Sequence, residues 1–129
     1  MEIQRLDHVN IRTDQLDRLV SWYCEVLGLT NGYRPDFPFP GAWLYAGETV
    51  VLHLVGVTDP PGAGSEGALK MEHFAFRASG AAAFEARLKE HGETYRRNEI
   101  EAINTVAFNI WDPDGNHIHV DFYTDEVST

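Results

Sequence analysis

Four of the six histidines in this chain of 129 residues recur at almost one spacing. His8 and His73 are 65 residues apart, and His53 and His119 are 66 residues apart. Neutral imidazole is a ligand for divalent first-row transition metals, whereas Mg²⁺ and Ca²⁺ prefer oxygen. The spacing therefore predicts a metal site that these four histidines hold, with Zn, Fe(II), Ni or Co as the ion. Because neutral ligands leave the charge of the ion unchanged, it would act as a strong Lewis acid.

A turn and a strand near the C-terminus carry the last of these histidines. The tetrapeptide Asp-Pro-Asp-Gly at 112–115 predicts a tight turn, because proline presets φ and glycine accepts a positive φ. Apolar residues then alternate with titratable ones, which predicts a half-buried strand. The titratable face carries His117, His119 and Asp121. We interpret His119 as the ligand, with Asp121 as the alternative, and His117 as a rim or surface residue near the turn.

Alternating segments also carry the other three histidines, each on the face opposite the apolar residues. These segments are 6–12 with His8, 49–57 with His53, and 71–77 with His73. Arg12 and Arg77 follow His8 and His73 by four residues on the same faces, which is about 13 Å along a strand. That distance is too long for a shared ion, but it suits contact with a substrate carboxylate or phosphate.

Each half of the chain is predicted to form one β-α-β-β-β module. In each half, a helix with apolar residues at helical spacing follows the first strand. The predicted caps are Thr13-Asp14 and Ser79, and the predicted helix ends are Gly28 and Gly92. Proline and glycine are concentrated in a predicted linker at 59–67. The first module therefore covers about 1–58 and the second about 68–129.

Composition excludes several classes of partner. Hydrophobic residues are 43% and charged residues 23% of the chain, as in ordinary globular domains. The formal charge of −10 disfavours nucleic acid and anionic membrane surfaces. No apolar run approaches the roughly 20 residues of a membrane span, and the first residues do not resemble a signal peptide. The single cysteine, Cys24, cannot form an internal disulfide, so a reducing cytoplasm is expected.

Several motifs resemble those of the vicinal oxygen chelate superfamily of glyoxalase, bleomycin-resistance and extradiol dioxygenase proteins. They are the doubled β-α-β-β-β unit, D-H-V around His8, E-H-F-A-F around His73, and D-P-D-G-N-x-I-x-V in the last strand. The resemblance covers nearly the whole chain. It implies an α+β fold in which two tandem βαβββ modules form a cupped mixed sheet around one metal site, with helices on the outer face. It also implies a small-molecule substrate and a homodimer.

The resemblance also implies a match between each predicted ligand of this chain and a ligand position of the superfamily. His8 and His73 match the ligands of the first and fifth strands. His53 lies where glyoxalase-like members often have Glu, and His119 lies where the superfamily nearly always has Glu. In glyoxalase I such a Glu ligand also serves as the catalytic base. This chain therefore departs from glyoxalase I at the residue that performs its chemistry.

The remaining candidates lie on the strand faces of the histidines or, for Trp43 and Tyr45, alternate on one face of the strand predicted at 42–46, where lining the cup and packing in the core are the two alternatives. Asp121 and Tyr45 are the predicted catalytic bases, with His117 as a further candidate, and the predicted substrate-binding residues are Asn10, Arg12, Trp43 and Arg77. Together these residues indicate a metal-dependent isomerase, lyase or oxygenase acting on a substrate that chelates the ion through oxygen. The alternative is a metal-free protein that sequesters a ligand, as bleomycin-resistance proteins do.

Overall fold

A computed structural model describes residues 1–58 and 71–127, and the chain divides into two compact units, Met1–Ala63 and Gly64–Thr129. The linker predicted at 59–67 lies outside the described residues. Among the described helices, none is both long enough and apolar enough to cross a membrane.

The described residues of the first unit form four strands and one helix. They are β1 (Val9–Thr13), α1 (Leu16–Glu25), β2 (Thr30–Gly32), β3 (Gly41–Ala46) and β4 (Thr49–Gly56). The strands form one sheet in the order β1-β4-β3-β2, in which β1 and β4 are parallel and the other neighbours antiparallel. This unit is the predicted βαβββ module.

The second unit repeats the same topology. It contains β5 (Phe74–Arg77), α2 (Ala81–Glu90), β6 (Arg96–Ile100), a 3-10 helix (Glu101–Ile103), β7 (Thr105–Trp111), β8 (His117–Tyr123) and α3 (Thr124–Val127). The sheet order is β5-β8-β7-β6, with only β5 and β8 parallel. The α+β fold of two tandem modules is therefore confirmed. The 3-10 helix and α3 were not predicted from the sequence.

One face of each sheet packs against the helix of the same unit. In the first unit α1 packs against β3 and β4, and Leu52 and Leu54 of β4 are fully buried. In the second unit Phe84 of α2 contacts Phe108 and Phe122, with ring centroids 5.6 and 5.7 Å away. Since neighbouring residues of a strand point to opposite faces, the histidines of β4 and β8 lie on the side away from the helix.

The starts of both long helices differ from the prediction. Helix α1 begins after Gln15, whose side chain makes no cap hydrogen bond, and Thr13 Oγ1 accepts a hydrogen bond from the Gln15 N–H at 3.0 Å. Helix α2 begins after Gly80, whose φ of 84° is left-handed, so Ser79 is not its cap. The helix ends are as predicted, since Gly28 and Gly92 have φ values of 71° and 66°.

The cap of α2 comes from the other end of the unit. Glu126 in α3 accepts hydrogen bonds through Oε1 from the backbone N–H groups of Gly80 and Ala81, the latter at 2.9 Å. These are two of the N–H groups that the first turn of a helix leaves without a partner. A carboxylate is also favoured there by the helix dipole. Glu126 therefore replaces the local cap that the sequence pattern suggested.

Candidate metal centre

Strand register brings the predicted ligands together in pairs within each unit. Asn10 of β1 lies opposite His53, and Ala75 of β5 lies opposite His119. His8 and His73 precede these partners by two residues, so each lies on the same face as the histidine of the neighbouring strand. The rings of His8 and His53 stack at 3.8 Å with planes 15° apart. The rings of His73 and His119 stack at 3.8 Å with planes 10° apart.

An acidic residue orients the first histidine of each pair. His8 Nδ1 donates a hydrogen bond to Asp7 Oδ2 at 2.8 Å, and His73 Nδ1 donates to Glu72 Oε2. These bonds lower the pKa of both carboxyl groups. With Nδ1 occupied, each ring presents its Nε2 atom to a ligand, an arrangement that is common for metal-binding histidines. Sequence reasoning missed both acids, although their 65-residue spacing, equal to that of the histidines they precede, was a usable signal.

The second histidine of each pair is half-buried, and its surroundings disfavour the protonated ring. Burial lowers the pKa of His53 and of His119, and the neighbouring rings of His8 and His73 lower it further. Among the described residues, the rings of His53 and His119 accept or donate no hydrogen bond. Neutral imidazole with an available lone pair is the form that binds a metal. The two pairs therefore suit a first-row transition metal better than Mg²⁺ or Ca²⁺.

The prediction that His117 is a rim or surface residue is wrong. Its exposure is only 6%, because it lies at the start of β8 against Trp111, with ring centroids 5.0 Å apart. Its Nε2 lies 2.9 Å from Asn109 Oδ1, and its Nδ1 lies 3.1 Å from Glu72 Oε1. Within the part of the chain that the structure describes, ligand-capable atoms of His73, His117 and His119 lie within 4.8 Å of one another.

Trp43 forms part of an aromatic surface beside His53. Its ring stacks on that of His53 at 4.2 Å, with planes 6° apart. The loop before β3 extends this surface, since Phe37 lies 6.2 Å from Trp43 and stacks on Phe39 at 5.3 Å. The guanidinium of Arg34 covers both phenylalanine rings. A planar group bound beside His53 would therefore meet an aromatic side chain.

The polar substrate-binding candidates differ in how firmly they are held. Arg77 Nη2 donates a hydrogen bond to Thr105 Oγ1 at 3.2 Å, and the guanidinium lies 4.2 Å from the ring centre of Tyr123. Asn10 and Arg12 of β1 are both exposed on the face of His8. Arg77 is therefore positioned by its neighbours, whereas Asn10 and Arg12 are accessible side chains.

The two predicted bases have different surroundings. Asp121 lies on the face of His119, and its Oδ1 atom is buried with no hydrogen-bond partner among the described residues. A buried carboxylate oxygen without a partner is unfavourable unless a ligand or proton meets it. The Tyr45 hydroxyl donates to the carbonyl oxygen of Tyr33 at 2.6 Å, so its proton is already engaged.

Comparisons with known proteins agree with this fold. A family model described as Glyoxalase/Bleomycin resistance protein/Dioxygenase superfamily matches residues 5–120. None of the curated proteins matches the sequence. A structure assigned to the glyoxalase family from Bacillus anthracis is similar, with a TM-score of 0.77 and 21% identity over 95% of this chain and 98% of that one.

Two further solved structures have the same fold. The genomically encoded fosfomycin resistance protein FosX from Listeria monocytogenes has a TM-score of 0.72 and 10% identity, and 94% of each chain is covered. Lactoylglutathione lyase from Agrobacterium tumefaciens has a TM-score of 0.69 and 18% identity, over 94% of this chain and 95% of that one. At these identities the similarity extends to the fold alone.

Proposed function

Since the chain belongs to the Glyoxalase/Bleomycin resistance protein/Dioxygenase superfamily, we propose that it is a metal-dependent enzyme acting on a small substrate that chelates the ion through oxygen. The observation that carries this proposal is the repeated stacked pair, His8 with His53 and His73 with His119. A fold repeat requires the apolar faces to recur, but it does not require paired imidazoles with an acid on Nδ1. The similar structures of a lactoylglutathione lyase and a fosfomycin resistance protein support assays for isomerase, lyase or oxygenase activity.

In this proposal the four histidines are the metal ligands, with Zn, Fe(II), Ni or Co as the ion. When bound, such an ion supplies a positive charge that polarises substrate oxygens and stabilises an oxyanion. In a protein of formal charge −10, it would also attract an anionic group of the substrate. The acids Asp7 and Glu72 keep the first histidine of each pair in the tautomer that leaves Nε2 for the metal.

Asp121 is the proposed base. It shares the face of His119 and has a buried oxygen that no described residue contacts by a hydrogen bond. A carboxylate in that state can take a proton from a substrate carbon or hydroxyl group. Tyr45 is the second candidate, but it must first break its hydrogen bond to the Tyr33 carbonyl.

The substrate-binding side chains have separate proposed roles. Trp43 would contact the apolar or planar part of the substrate beside His53. Asn10 and Arg12 would contact its polar groups from the same face of β1, and Arg77 would hold an anionic group while Thr105 and Tyr123 fix its guanidinium. The family membership also supports a cytoplasmic homodimer, which sedimentation velocity and cell fractionation would test.

Elemental analysis of the untagged protein, purified without chelator, tests the proposal. We expect about one metal ion per chain in the wild type and loss of that ion in His53→Ala and His119→Ala. His91→Ala is the matched control, because His91 lies at the end of α2 and its Nδ1 contacts the Arg87 carbonyl. Wild-type protein that stays metal-free when offered Zn, Fe(II), Ni and Co would refute the enzyme proposal. A ligand-sequestering function would then replace it.

A further inference from the structure

Glu72 contacts two histidines through its two carboxylate oxygens. His73 Nδ1 donates to Oε2, and His117 Nδ1 lies 3.1 Å from Oε1. Contacts at both oxygens fix the carboxylate plane, and that plane sets the orientation of the His73 ring. We propose that His117 is a positioning residue, which holds Glu72 so that His73 presents Nε2 to a metal ion. This inference rests on the proposed function, because it assigns a role at the same metal site.

His117 is itself held from its other side. Its Nε2 donates to Asn109 Oδ1 at 2.9 Å, while Asn109 Nδ2 donates to the Arg96 carbonyl at 3.1 Å and to Asn98 Oδ1 at 2.6 Å. The two acceptors around Nδ2 determine which end of the amide faces His117. Both ring nitrogens of His117 therefore face oxygen acceptors. Nε2 donates to Asn109 Oδ1 and so has no lone pair for a metal, and Nδ1 lies against Glu72 Oε1, so the geometry gives His117 a contact with Glu72 rather than a place among the ligands.

In the described part of the first unit, residues of other types occupy the positions equivalent to this chain of hydrogen bonds. Trp43 lies opposite His53 in the register, where Asn109 lies opposite His119 in the second unit. Val51 precedes His53 by two residues, as His117 precedes His119. The first unit thus has Trp43 and Val51 at the positions of Asn109 and His117.

Asp7 supplies a matched control within the same chain. It accepts a hydrogen bond from His8, as Glu72 does from His73, and its side chain is 68% exposed. Its other contact is with Arg5, at 3.2 Å. Asp7 and His8 therefore form an acid–histidine pair in which the second carboxylate oxygen contacts the exposed Arg5 rather than a buried residue. The effect of removing the Asp7 charge on metal affinity should therefore not depend on His117.

Two substitutions of His117 separate positioning from simple packing. In His117→Asn, the amide nitrogen is two bonds from Cβ, as Nδ1 is in histidine, so it can donate to Glu72. In His117→Gln, the amide nitrogen is three bonds from Cβ, as Nε2 is in histidine, so it can reach only Asn109. The affinity of the metal-free protein for Co²⁺, measured by competition with a chromophoric chelator, should fall about 10- to 100-fold in His117→Gln. It should stay close to wild type in His117→Asn. Equal losses in both variants would overturn the proposal.

A double-mutant cycle shows whether His117 acts through Glu72. Glu72→Gln should also weaken Co²⁺ binding about 10- to 100-fold, and His117→Gln should add nothing further in that background. In the Asp7→Asn background, His117→Gln should keep its full effect. Additive losses in the Glu72→Gln background would overturn the proposal.

Two results of the Co²⁺ measurements distinguish failure of the proposed function from failure of the positioning role of His117. If wild-type protein binds no Co²⁺, the proposed function fails, and this inference fails with it. If wild type binds Co²⁺ and Glu72→Gln binds it equally well, only this inference fails. Because Glu72 is exposed, that second result can be obtained even if His117→Gln does not fold.

Discussion

The imidazole ring of His119 lies flat against that of His73, with centroids 3.8 Å apart and planes 10° apart. Two protonated rings at that separation would repel each other, whereas two neutral rings, or one neutral and one charged ring, would not. The same relationship holds between His53 and His8 in the first unit. Burial and the neighbouring ring lower the pKa of His53 and of His119, and this shift has consequences for both pH dependence and metal binding.

The stability of the metal-free protein should decrease as the pH falls below about 6.5, the ordinary pKa of histidine. The pKa of His53 and that of His119 are lowered in the folded chain, first by burial and then by the neighbouring ring. The unfolded chain therefore binds protons at a higher pH than the folded chain does, so acid favours unfolding. Urea unfolding between pH 7 and pH 5 measures the effect.

The double variant His53→Ala/His119→Ala provides the control for this pH dependence. It should lose the decrease in stability between pH 7 and pH 5, because the two groups with lowered pKa values are gone. Asp7 and Glu72, whose pKa values are also lowered, would act only at a more acidic pH. An unchanged pH dependence in the double variant would contradict this assignment.

Asp121→Asn should keep its metal, whereas His119→Ala should lose it. Both residues lie on one face of β8, but only His119 stacks on another predicted ligand. Elemental analysis of the two variants compares them directly. Once a substrate is found, Asp121→Asn should also lower kcat about 100-fold or more, because the proposed base is removed. Metal loss in Asp121→Asn would instead make Asp121 the ligand.

Glu126→Ala should destabilise the second unit by about 1 kcal/mol, the usual effect of losing a helix cap. Glu126 accepts hydrogen bonds from the N–H groups of Gly80 and Ala81 at the start of α2. Glu126→Gln keeps an acceptor oxygen and removes only the charge, so its effect should be smaller. Urea unfolding of both variants measures the difference, and equal losses would show that the charge alone matters.

Phe108→Ala should destabilise the second unit by about 3–5 kcal/mol, because it leaves a cavity in the core. Phe108 is fully buried and contacts Phe84 and Phe122 with ring centroids 5.6 and 5.5 Å away. Phe39→Ala is the control, since Phe39 is 43% exposed and should change stability little. Similar effects of the two substitutions, measured on metal-free protein, would contradict the assigned core.

The sequence by itself determined the two modules and the faces of their strands. Alternation of apolar and polar residues has the period of a strand, so it predicts which side chains share a face before any contact is known. For this reason the faces that carry His8, His53, His73 and His119 could be anticipated from spacing, whereas the pairing of β1 with β4 and of β5 with β8, which stacks the rings, came from the structure. The acids Asp7 and Glu72 had the same repeat, and their hydrogen bonds to the next histidine are equally local.

Only the tertiary structure decided the burial of His117 and the contacts of Glu126. The alternation placed His117 on the open face, but its burial depends on Trp111 and on Asn109 of the neighbouring strand. Glu126 caps a helix that begins 45 residues earlier in the chain. Periodicity describes the direction of a side chain along its own strand or helix. It carries no information on which distant residue meets that side chain, because the packing of the elements sets such contacts.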